Sequence, residues 1–131
     1  MESLKRQEDF RNCYKNGKSI ANRYLVLYVC ERNTESAGSD GMTGTEEDRG
    51  RSKDRGNRVG ISVSKKVGNS VVRHRIKRRI KESYRNHEEG FNSGLDLVIV
   101  ARILTAEADY KKIESALLSL GERASIWRKK D

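Results

Sequence analysis

Between residues 58 and 85 stand ten basic side chains, Arg58, Lys65, Lys66, Arg73, Arg75, Lys77, Arg78, Arg79, Lys81 and Arg85, against one acid, Glu82. The formal net charge of the 131-residue chain is +9, so this segment carries the entire excess and the rest is balanced. Guanidinium groups fork onto phosphate oxygens and stack on bases, while ammonium groups meet the same anions as point charges. Both types crowded together are chemistry for gripping a polyanion. Arg73, Lys77, Lys81 and Arg85 recur at i, i+4, a like-charged row that weakens a helix unless an outside anion neutralises it. A merely solvated face would mix the two signs, and this one does not.

Aromatic side chains offer the other half of a nucleic-acid site. Phe10 and Tyr14 share one face of a short helical pattern, and Tyr28 lies on the outer side of a strand pattern. Single-stranded nucleotides bind by stacking on such rings while cations follow the phosphates. Phe10 serves equally well as packing between helix and sheet. Hydrolytic chemistry finds less support. Asp96 stands alone on a strand, His74 lies within the arginine run and His87 just beyond it, and no Walker, GxGxxG or GxSxG pattern occurs. These residues predict neither a catalytic site nor a metal site in the protein itself.

The elements that position these groups follow from periodicity. Residues 7–16 read as a helix stopped by Gly17, and residues 19–30 as a strand. On that strand Leu25, Leu27 and Val29 share a core face, and Tyr24, Val26 and Tyr28 share a working face. Residues 31–57 hold five glycines, charges of both signs and no Val, Ile, Leu or aromatic residue. They predict a disordered or mobile connection. Arg58 to Ser64 is a strand, Lys65–Asn69 a basic turn, and Asn69 or Ser70 the cap of a helix over 70–85. Val72, Ile76 and Ile80 form its narrow apolar stripe. Leu95 to Ile103 reads as a central strand. Thr105 is placed to cap a last helix with Tyr110, Ile113, Leu117 and Leu120 inward and Trp127 extending the row. The pattern is one α+β domain, a two-layer sandwich with a layer of helices.

Composition agrees. Charged residues make up 36% and hydrophobic ones 34%, a thin core for one domain, and the pI is near 9.8. Cys13 and Cys30 form no metal or disulfide pattern and read as small apolar residues of a reducing compartment. No apolar run is long enough to span a bilayer, and the N-terminus lacks a signal-peptide pattern, so a cytoplasmic protein is expected.

Residues 58–85, RVGISVSKKVGNSVVRHRIKRRIKESYR, resemble the signature of the protein subunit of bacterial ribonuclease P. The likeness extends to Glu8-Asp9-Phe10, Tyr14 to Gly17, Ala21 to Arg23, Val26 to Tyr28, and Asp96 to Arg102. It implies the order αβββαβα with a left-handed βαβ crossover. It also implies assembly with a large catalytic RNA that binds magnesium and removes the 5′ leader of precursor tRNA, the protein itself holding no cofactor. No membrane and no obligatory protein partner are implied. By position, Arg73, His74, Arg75, Lys77, Arg78 and Lys81 would face the catalytic RNA, with Lys65, Lys66, Gly68 and Asn69 shaping the turn before them. Phe10, Tyr14, Val26 and Tyr28 would line the cleft for the single-stranded leader.

Three departures stand out. His74 replaces the family's usual Asn, Lys81 stands where arginine is common, and the 31–57 segment is longer than usual. Two other readings of the residues compete: a structural RNA-binding module such as a ribosomal protein or RNA chaperone, and a stand-alone metal nuclease. The first needs the basic helix but no leader cleft.

Overall fold

The computed structural model describes residues 2–31 and 57–129. Its elements run β1 (Glu2–Ser3), α1 (Gln7–Asn16), β2 (Lys18–Ala21), β3 (Leu25–Glu31), β4 (Arg58–Val63), α2 (Ser70–Asn86), β5 (Leu95–Ala101) and α3 (Tyr110–Arg123), with 3-10 turns at Glu88–Gly90 and Ile103–Glu107. The α+β class and the order αβββαβα are as expected, with the two-residue β1 added in front. Residues 19–30 form a hairpin rather than one strand. The Asn22 side-chain oxygen accepts from the N–H groups of Tyr24 (3.1 Å) and Leu25 (2.9 Å) and turns the chain there.

The connection expected over 31–57 lies, its end residues apart, outside the described residues. Both ends belong to the fold. Glu31 closes β3. Asn57 is buried; its amide nitrogen donates to the Tyr84 hydroxyl (2.9 Å) and the Asn92 carbonyl (2.7 Å), and its oxygen accepts from Leu95 N–H (2.9 Å). That network is the full satisfaction a buried amide demands.

The sheet order is β1-β4-β5-β3-β2. β4 and β5 are parallel, joined through α2, whereas β3 is antiparallel to both β5 and β2. β5 is central and buried on both faces, as its nearly unbroken apolar run requires. On one face Leu25, Leu27, Val59, Leu97 and Ile99 pack against Ile76 and Ile80 of α2 and Ile113, Leu117 and Leu120 of α3. Each fully buried side chain of this size stabilises the fold by about 1.5–3 kcal/mol. Sheet and two helices make the sandwich; α1 lies across the other face, where Leu4, Cys13, Cys30 and Val98 are buried together.

Asn69 caps α2, its side-chain oxygen accepting from Val72 N–H at 3.0 Å. The stripe of Val72, Ile76 and Ile80 is continued by buried Ser83 and Tyr84. Two expectations for the last helix need correction. Its cap is Asp109, which accepts from Lys112 N–H at 2.9 Å, while Thr105 sits in a 3-10 turn and donates to the Arg102 carbonyl at 2.6 Å. Trp127 follows the helix rather than extending its row, and pairs with Phe91 as an isolated bridge.

Candidate nucleic-acid interface

At about 100° per residue, the buried stripe of α2 leaves a wide arc of helix surface to the cations. Lys77, Arg78, Lys81, Arg85 and His74 are exposed across it, and Arg73 and Arg75 stand half-buried at its two margins. The Nε atoms of Arg73 and Arg75 are buried with no hydrogen-bond partner. Lys65 and Lys66 are exposed on the turn before the helix, where Val67 tucks inward. Among the described residues none of these cations meets a carboxylate. Such a surface holds like charges together without internal neutralisation, which a phosphate backbone could supply.

Two of the ten basic side chains do other work. Arg79 donates to the Ala108 carbonyl at 2.7 Å and ties α2 to the turn before α3. Arg58 lies on the opposite side of the sheet and forks onto Asp96, Nε to Oδ1 at 2.8 Å and Nη2 to Oδ2 at 2.6 Å, with Nη1 3.5 Å from Asp9. Asp96 therefore does not stand alone, as its place on the strand implied; it is buried and ion-paired. His87 is engaged too, 2.7 Å from Glu114 and edge-on to Trp127. Among the described residues, no three His, Cys, Asp or Glu side chains converge as metal ligands would.

The aromatic residues come together on the face α1 partly covers. Tyr14 and Tyr28 meet edge to face, ring centres 4.8 Å apart, and Phe10 stands 6.4 Å from Tyr14. Phe10 lies against Gly60, where an added Cβ would come within 2.5 Å of the ring, so only glycine lets the helix sit this low. Cross-strand rows show where the cover ends. In the row Gly60, Val98, Tyr28, Val98 is fully buried; in the next, Ser62, Val100, Val26, every residue is half-buried and Ala21 beyond them is exposed. The sheet thus has an uncovered strip, floored by Val26, Val100 and Ser62 and walled by Phe10, Tyr14 and Tyr28. Tyr14 is 43% exposed. Tyr24, grouped with the working face in the sequence, packs instead on the α2–α3 core.

Phe10, Tyr14 and Tyr28 lie together, and Val26 shares their face of the sheet. Ser62 and Val100 were missed, because alternation assigns them a face only once the pairing of β4, β5 and β3 is known. Basic turn, basic helix and cleft coexist in one fold, and comparison with other proteins names it. The ribonuclease P family model matches residues 1–125.

The chain belongs to the ribonuclease P protein family. A ribonuclease P protein component of Lachnoclostridium phytofermentans is 50% identical over 125 residues, which cover 95% of this chain and 90% of that one. Its counterpart in Clostridium botulinum (strain Langeland) is 43% identical, with 95% of each chain covered. The ribonuclease P protein structure from Staphylococcus aureus superposes with a TM-score of 0.74 at 29% identity, covering 98% of this chain and 99% of that one. The Thermotoga maritima structure gives 0.71 at 26% identity, covering 94% and 97%. Membership places the chain in tRNA processing as an RNA-binding component of ribonuclease P, and nothing in the fold or the relatives favours a ribosomal or chaperone module.

Proposed function

We propose that this chain binds a catalytic ribonuclease P RNA through α2 and the 64–69 turn, and holds the 5′ leader of precursor tRNA in the strip beside α1. The observation that carries this is the set of uncompensated cations on α2 and its turn, on the opposite side of the sheet from an aromatic cleft. Residues Lys65, Lys66, Gly68, Asn69, Arg73, His74, Arg75, Lys77, Arg78 and Lys81 serve the first contact. Phe10, Tyr14, Val26 and Tyr28 serve the second, with Val100 and Ser62 as floor.

The chemistry falls to the RNA partner and the magnesium it holds. Support comes from how the acids are used: Asp9 and Asp96 are neutralised by Arg58, and Asp109 caps a helix. The protein's part is to raise affinity for precursor, in the cytoplasm and with no obligatory protein partner. No helix among the described residues is long and apolar enough to cross a membrane.

Reconstitution tests this. Added to a bacterial ribonuclease P RNA at low magnesium, the protein should restore 5′ cleavage of precursor tRNA, and alone it should leave the substrate intact. Cleavage by the protein that survives micrococcal-nuclease treatment would move the chemistry onto this chain and refute the assignment.

A further inference from the structure

β4 presents three residues in a row to the face where α1 lies: Arg58, Gly60 and Ser62. Gly60 seats the Phe10 ring, and Ser62 belongs to the floor of the open strip. Arg58 does something different. Its fork onto buried Asp96 fixes the plane of the guanidinium, because both parallel bonds are satisfied only in one orientation. The remaining nitrogen, Nη1, then points at Asp9 of α1, 3.5 Å away. Asp9 immediately precedes Phe10, and Tyr14 follows on the next turn of the same helix.

The rest of the α1 seat is largely apolar: Leu4, Cys13, Cys30 and Val98, with Phe10 and Tyr28. Apolar contact is non-directional and does not by itself fix where a short helix stops along a sheet. A charge-assisted contact anchored to the central strand does. We propose that Arg58 is a positioning residue, which through Asp9 holds α1 at the height and register that place Phe10 and Tyr14 as the wall of the nucleotide cleft. This rests on the leader-cleft reading given above. Arg58 touches no nucleotide in this arrangement; it acts through Asp9.

Asp9→Asn is the informative variant, since it slackens the arm to α1 and leaves the Arg58–Asp96 pair that β4 and β5 need. Arg6→Gln is its control, because Arg6 also faces the Asp9 carboxylate, at 3.9 Å, but from the solvent side. Each protein is bound to a bacterial ribonuclease P RNA. Affinity is then measured for precursor tRNA, carrying 2-aminopurine in its leader, and for mature tRNA. In the wild-type complex stacking should quench the fluorophore, and Tyr28→Ala should relieve this. Asp9→Asn should lower the precursor-to-mature affinity ratio about fivefold and relieve part of the quenching. Affinity for the RNA subunit should stay unchanged, and Asp9→Glu should recover most of the ratio. An unchanged ratio and quench in Asp9→Asn would overturn the proposal, as would an equal loss in Arg6→Gln. If Tyr28→Ala also leaves both readouts unmoved, the cleft itself is refuted and the role of Arg58 falls with it.

Discussion

The two sides of the sheet spend charge in opposite ways. On α2 and its turn, cations stand beside cations, and two arginine Nε atoms are buried without a partner. Across the sheet, Arg58 engages two carboxylates and orders the helix above it. The same residue type is left uncompensated where a polyanion is to be met and neutralised where a helix is to be held. Charge alone does not mark a binding residue; its internal partners decide.

The largest expected effect breaks the uncompensated side. Replacing Lys77, Arg78 and Lys81 together with Glu should lower affinity for ribonuclease P RNA by about a hundredfold or more, since each lost phosphate contact also removes roughly 0.7–0.9 from the slope of log affinity against log salt. Filter binding across a salt series checks both. Retained affinity with an unchanged slope would show that α2 is not the anchor. The contrasting substitution, Arg58→Met, should leave that slope alone and lower the melting temperature, because it strands the buried Asp96 carboxylate.

A smaller effect is expected at the seat of α1. Gly60→Ala places a methyl group against the Phe10 ring and should cost about 1–3 kcal/mol in denaturant unfolding. A neutral result would mean that α1 can ride higher on the sheet without loss.

The smallest effect is in the alkaline range. Burial pushes the Cys13 thiol from 9.0 up to about 12, with Cys30 and Asp96 adding to the rise. Burial likewise pushes the Tyr84 hydroxyl from 10.0 up to about 12, against the opposing hydrogen bond from Asn57. Both groups are neutral when protonated and have folded values above their unfolded ones. Their contribution to stability is therefore complete below about pH 9 and is lost as the pH rises through about 12. Unfolding measured from pH 8 to 12 should show this decline, shallower in Tyr84→Phe; an identical decline in that variant would remove Tyr84 as a contributor.

What the sequence made legible follows from local signals. The i, i+4 row of cations, the Val72, Ile76, Ile80 stripe and a cap at Asn69 or Ser70 lie within one stretch of chain, so α2 and its exposed face are readable directly, the structure choosing Asn69. Phe10 with Tyr14 and Val26 with Tyr28 were readable as pairs on their own elements. What joined them was not, because the strand order β1-β4-β5-β3-β2 sets residues far apart in sequence side by side. That pairing puts Val100 and Ser62 beside Val26, and Asp96 beside Arg58. For the same reason Arg58 counted with the basic cluster in one dimension and left it in three. The Asp109 cap is hidden in the sequence because Thr105 is an equally plausible capping residue nearby, and the hairpin is hidden because the strand-like run continues through Asn22, whose side chain turns the chain by bonding the N–H groups of Tyr24 and Leu25.

The division of labour between the two sides is tested most directly by one ratio. Bound to a bacterial ribonuclease P RNA, the protein carrying Tyr14→Ala and Tyr28→Ala is compared with wild type for affinity to precursor and to mature tRNA. Loss of base stacking should weaken precursor binding by about fivefold to a hundredfold, with mature tRNA and the RNA subunit held as before. Equal weakening of both tRNA forms would contradict a cleft that reads the leader.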